Sequence, residues 1–163
     1  MIPTIHTILY ATDLEPHAPG VLGYAVALAQ RYDAKIILLH VVEPLGPTAR
    51  SLVRNVLPPE QLEDLHAQGL ARLHKQICDR LEQFRVKQLE SADTEIVSEV
   101  RVVEGPPAET IMEQADDVGA SLIVMGTHGR AGMGELMLGS VAHKLMQQSK
   151  LPVFLVPLRS LSS

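Results

Sequence analysis

The chain has 163 residues, a formal net charge of −5, 46% hydrophobic but only 3% aromatic residues, no Trp and one cysteine. At about 100–200 residues per domain, residues 1–163 form one domain with an aliphatic core of Val, Ile, Leu and Ala. The acidic balance without any Lys/Arg block excludes the footprint of a nucleic-acid binder, and no run nears the ~20 apolar residues of a membrane span. Cys78 alone excludes an internal disulfide or a cysteine zinc cluster and suits a reducing cytoplasm, and Met1–His6 lacks the basic-then-apolar order of a leader.

Thr7-Ile8-Leu9-Tyr10-Ala11-Thr12 predicts a first strand covered on both faces, ended by Asp13-Leu14-Glu15-Pro16. Asp13 then stands at the carboxyl end of that strand, where open parallel sheets bind ligands, although a turn or helix-capping Asp is the plainer role. From Pro19 to Asp33, Val21, Ala25, Leu28 and Tyr32 recur at helical spacing. Lys35–Val42 predicts a second covered strand, completing a right-handed βαβ unit. His40 lies near its end, and with no ligand-spaced His or carboxylate beside it, a core or strand-end role is expected.

Residues 43–59 hold Pro44, Gly46, Pro47, Pro58 and Pro59 and predict a loop or partly ordered excursion in which Arg50 and Arg54 are solvated. Glu60 to about Gln88 carries Leu62, Leu65, Gly69, Leu73, Ile77, Leu81 and Phe84 in steps of three and four, a long amphipathic helix. Its His66, His74 and Cys78 make a poor metal set, because His74 and Cys78, one turn apart, are only two ligands. Glu95–Glu104 partly alternates, as a strand toward the sheet margin does, and Gly105-Pro106-Pro107 breaks it. A helix follows with Ile111, Met112, Ala115 and Val118 inward and Gly119 as its C′ residue. The alternation of strands and helices predicts an α/β fold, a doubly wound open sheet of about five parallel strands with helices on both faces.

The stretch with the most chemistry runs from Gly126-Thr127-His128-Gly129-Arg130 to Gly139-Ser140-Val141. It follows the apolar Leu122-Ile123-Val124-Met125 and leads into a helix near Ser140–Gln148, so a glycine loop delivers the chain to a helix N-terminus, where free amides favour phosphate. Gly134-x4-Gly139 has Walker spacing, but Ser140-Val141 replaces the required Lys-Ser/Thr, and the dinucleotide fingerprint fails at Met137. Plain alternatives are turn geometry for the glycines, an N-cap for Ser140, a solvated charge for Arg130 and core packing for Met125. His128 is read as positional rather than catalytic, since no carboxylate partners it.

Gly126-x-x-Gly129-x9-Gly139-Ser140 resembles the nucleotide motif of the ATP-binding branch of the universal stress protein family. Tyr10-Ala11-Thr12-Asp13, Leu38-Leu39-His40-Val41, Leu122 to Arg130 and Leu151-Pro152-Val153-Phe154-Leu155-Val156-Pro157 follow that family's order across almost the whole chain. Ser121 stands where the family usually has an acidic residue. The resemblance implies a Rossmann-like sheet of strand order 3-2-1-4-5 and nucleotide contacts at Asp13, the Val41 backbone, Met125, Gly126, Gly129, Arg130, Gly139, Ser140 and Val141. Ala11, Thr12, Thr127 and His128 flank these and complete the candidate site. It further implies bound ATP, with Mg²⁺ or Mn²⁺ held by the phosphates, a cytoplasmic regulatory module in stress response acting on a protein partner, and a homodimer through the last strand, Val153 to Val156. A slow ATPase or autophosphorylating enzyme using Ser140 or Thr127, and an empty dimeric scaffold, are the alternatives on the same fold.

Overall fold

The computed structural model describes residues 1–15, 18–88, 95–127 and 138–157. Within them run β1 (Thr7–Thr12), α1 (Ala18–Tyr32), β2 (Lys35–Val42), α2 (Pro47–Val56), α3 (Pro59–Gln88), β3 (Val97–Glu104), α4 (Pro107–Asp117), β4 (Leu122–Gly126), α5 (Ser140–Gln148) and β5 (Val153–Val156). The five strands form one all-parallel sheet of order β3-β2-β1-β4-β5, as expected. Order reverses beside β1, and the crevice at a doubly wound sheet's carboxyl edge opens at such a reversal.

The period of two along each strand divides the core. Ile8, Tyr10, Ile36 and Leu38 face one side and pack with Val21, Ala25, Ile77 and Leu81 of α1 and α3. Leu9, Ile37, Leu39 and Ile123 face the other and pack with Ile111, Ala115, Ala142 and Leu145 of α4 and α5. Helix α1 buries Val21, Leu22, Ala25, Val26 and Ala29, whereas Tyr32, predicted inward, is half exposed because it lies in the last turn beyond the sheet contact.

Two helix ends close in left-handed residues. Gly119 (φ 62°) takes the C′ position of α4, its N–H bonding Asp116 O at 3.1 Å while Ala120 N–H reaches Ala115 O at 2.9 Å. Asp33 (φ 53°) does the same for α1, with Ala34 N–H on Ala29 O at 2.9 Å.

The excursion at 43–59 differs from expectation. It contains the ten-residue helix α2, started by Pro47, whose missing N–H costs nothing at a first helical position. None of its residues is buried. The first half of α3 likewise stays open, with Leu65 half exposed, and α3 buries Ile77 and Leu81 only where it reaches the sheet. Apolar spacing in the sequence runs the full length of α3, but only its second half has a sheet to pack against.

Long-range polar contacts tie this layer down. His66 Nε2 lies 2.7 Å from Glu104 Oε2 at the end of β3. His74 Nε2–H donates to Val100 O at 3.1 Å. Among the described residues, no group of three His, Cys, Asp or Glu side chains is placed to hold a metal ion, and no helix is long and apolar enough to cross a membrane.

Candidate functional site

A cleft of about 570 Å³ opens at the carboxyl edge of the sheet, between the ends of β1 and β4. Ala11, Thr12 and Asp13 line it from β1, Val41 from β2, Met125, Gly126 and Thr127 from β4, and Gly139, Ser140 and Val141 from the start of α5. Strands β1 and β4 pair directly, Tyr10 beside Val124, which brings Asp13 and Gly126 to one rim although more than a hundred residues separate them. His128, Gly129 and Arg130 lie outside the described residues.

At the end of β1 the backbone is fixed by its own side chains. Thr12 Oγ1 accepts from Leu14 N at 3.2 Å and Asp13 Oδ1 from Glu15 N at 3.1 Å, so Asp13 does perform the turn role while also lining the cleft. Leu14 is held at φ 64° in that turn. His40, 4% exposed, reaches across from β2 and donates its Nδ1–H to Thr12 O at 2.8 Å. The strand-end role expected for His40 is therefore met, and its ring pins the carbonyl immediately before Asp13.

The opposite end of the cleft is made of amides. Gly139 N–H is bonded to Thr127 O at 2.8 Å, anchoring the start of α5 to the end of β4. The helical ladder begins with His143 N–H on Gly139 O, so the N–H groups of Ser140, Val141 and Ala142 precede it, at the positive end of the helix. Gly139 is the N-cap, with φ −59° and ψ 151°, and no side chain caps α5. Two sequence expectations change here. Ser140 is the first helical residue rather than the cap, so its hydroxyl is not used on its own helix. The glycine at 139 has an ordinary extended conformation, so positive φ is not what its lack of a side chain serves.

Between these ends the walls are apolar: Leu39, Val41, Ile111 and Met125, with Leu73 reaching in from α3. Sequence reasoning missed Tyr10, Glu43, Pro107, Ile111 and Leu73 as lining residues. Tyr10 and Glu43 were findable from their nearness to strand ends, but Leu73 and Ile111 lie on helices whose docking no local pattern specifies. Tyr10 is buried and donates its hydroxyl to Ala18 O at 3.0 Å, and burial pushes its phenol far above the ordinary value. Ser121 accepts from His6 N–H through Oγ at 3.2 Å at the opposite, amino-terminal edge of the sheet, so the departure there does not touch the cleft.

Known proteins with this arrangement agree with it. The profile of the universal stress protein family matches residues 4–157. Universal stress protein YxiE of Bacillus subtilis is 34% identical over 149 residues, covering 91% of this chain and 97% of the relative. The solved structure of MJ0577, described as a universal stress protein of Methanocaldococcus jannaschii, superposes with a TM-score of 0.66 at 26% identity, over 94% of this chain and 96% of the other. A universal stress protein solved in complex with cAMP has the same fold, at 22% identity and a TM-score of 0.61, over 94% of this chain and 98% of that one. With its sheet order, its β1–β4 crevice and the family match over nearly its whole length, this chain belongs to the universal stress protein family.

Proposed function

We propose that this chain is an ATP-binding regulatory module of the stress response, a cytoplasmic homodimer whose nucleotide occupancy alters its association with a protein partner. The reading rests above all on the two-ended chemistry of the cleft, apolar along its walls and lined by unladdered amides at one end. About 300–1,000 Å³ is the usual range for small-ligand sites, and 570 Å³ lies inside it. The adenine would lie along Val41 and Met125, with the ribose near Asp13 and Gly126. The phosphates would pass the side-chain-free Gly139 to meet the Ser140 and Val141 amides, with Arg130 supplying charge in place of a Walker lysine. Mg²⁺ or Mn²⁺ would be held chiefly by the phosphates, neutralising their charge.

Nucleotide released on denaturing the purified protein, with native mass measurement of the intact assembly, tests occupancy directly. Gly139→Val places a branched side chain where the phosphates would approach the backbone, its ordinary φ adds no backbone strain, and circular dichroism checks that the variant is folded. ATP affinity is expected to fall at least about tenfold, through lost charge-assisted amide contacts. Unchanged affinity in a folded variant overturns the reading.

The placement of Glu43 along the same cleft as Asp13 favours a second reading, slow ATP hydrolysis or autophosphorylation at Ser140 or Thr127. Phosphoryl transfer draws on carboxylates for metal and nucleophile, and two acidic side chains in one cleft supply candidates. Stoichiometric retention of ATP with negligible turnover separates binding from this alternative, while an empty scaffold would release no nucleotide.

A further inference from the structure

We infer that the chain carries a second ligand site, for a single-chain amphiphile with an anionic head, in the cavity between α1 and α3. This cavity is an open groove of about 810 Å³, against about 570 Å³ for the cleft at the sheet edge, and lies on the other face of β1. The hydrogen bond from Tyr10 to Ala18 stands between the two, since both residues line each of them. The second site is independent of the nucleotide reading.

Its floor is apolar, formed by Leu22, Leu38, Ile77 and Phe84. Apolar surface left open to water along a groove of this size is stabilised when an apolar ligand covers it. Helix α1 contributes Gly20 and Gly23, one turn apart, to the wall. Mid-helix glycine costs about 1 kcal/mol relative to alanine, and crowding does not explain Gly23, because a Cβ built there meets no atom within 4 Å. The missing side chain enlarges the cavity instead of letting two backbones approach.

The polar groups in the lining give the ligand its head. Arg80 and Lys87, about two turns apart on α3, line the cavity with Gln83 between them and Glu15 as the carboxylate. Among the described lining residues, two cations stand against one carboxylate. Arg80 is oriented by its bond from Nη1 to Leu14 O at 3.0 Å, which spends one of its five donors. An apolar slot ending beside two cations matches an aliphatic chain ending in a carboxylate.

Calorimetric titration with dodecanoate, below its micelle concentration, tests the site, with dodecanol as the neutral-headed control and ATP titrated in parallel. Saturable binding of one dodecanoate per chain is expected, with dodecanol at least about tenfold weaker. Lys87→Gln, a change on an exposed side chain, and Arg80→Gln should each weaken dodecanoate about tenfold and leave ATP affinity unchanged. Gly23→Leu narrows the groove, removes a helix-breaking residue and should raise Tm by about 2–4 °C while weakening dodecanoate at least about tenfold. Absence of saturable binding, equal affinity for dodecanol, or full binding by Gly23→Leu overturns the proposal. Loss of ATP binding alone bears on the cleft and not on this site.

Discussion

Individual residues in this chain hold two positions at once, one in the fold and one at a cavity wall. Tyr10 is the sharpest case, because its ring fills the core and its hydroxyl satisfies Ala18 O. Burial raises the pKa of its phenol, so the sign of the pH effect is fixed. Below about pH 10 both folded and unfolded chains keep the proton and stability is unaffected. Above it the unfolded chain ionises while the folded one does not, so stability falls as pH rises. Denaturant titrations of Tyr10→Phe should show a flatter alkaline limb than the parent, at a cost of about 1 kcal/mol near neutrality from the lost hydrogen bond. Gly105 is constrained by packing: a Cβ there would collide with Oγ1 of buried Thr110. Gly105→Ala should destabilise by about 1–3 kcal/mol, and adding Thr110→Ser, which frees the hydroxyl to rotate, should recover part of that in thermal melts. The sequence marks Gly105 as a strand breaker but not its neighbour, which only the return of α4 brings alongside.

At the scale of elements, the ends of helices were more legible than their faces. Gly119 was readable as a C′ residue because a helical pattern stops one position earlier, and it adopts φ 62° with both bonds of that closure made. Asp33 takes the same conformation without glycine's freedom. A paired comparison follows. Asp33→Gly should stabilise by up to about 1 kcal/mol, and Gly119→Ala should destabilise by about 1–2 kcal/mol, since nothing crowds a Cβ at 119 and the whole effect is backbone strain. Opposite shifts in chemical-denaturation midpoint at constant slope check both. Helix α2 was less legible: prolines at 44, 47, 58 and 59 crowd the segment with breaker signals, yet those at 47 and 59 each open a helix, where a missing N–H costs nothing. The first half of α3 is the converse, an apolar pattern only partly covered, with Leu65 half exposed.

For the whole molecule, β5 forms one margin of the sheet, pairing with β4 and leaving Phe154 36% exposed beside Tyr24 at a 6.2 Å ring separation. An apolar edge of this kind favours pairing with a second copy, the basis of the proposed dimer. Phe154→Lys should shift sedimentation at micromolar concentration from dimer to monomer without unfolding the chain, and an unchanged dimer would locate the interface elsewhere. The sequence by itself determined the alternation of strands and helices, the covered character of β1, β2 and β4, and the glycine-to-helix step at Gly139-Ser140, because hydrophobic period and turn chemistry are properties of neighbouring residues. Strand order entered through family likeness and not through periodicity. Tertiary structure alone decided that Asp13 meets Gly126 across one rim, that His40 pins Thr12, that Leu73 and Ile111 complete the wall, and that a second cavity opens behind β1. Each depends on which strand pairs with which and how helices dock on them, energies that arise only between segments far apart in the chain.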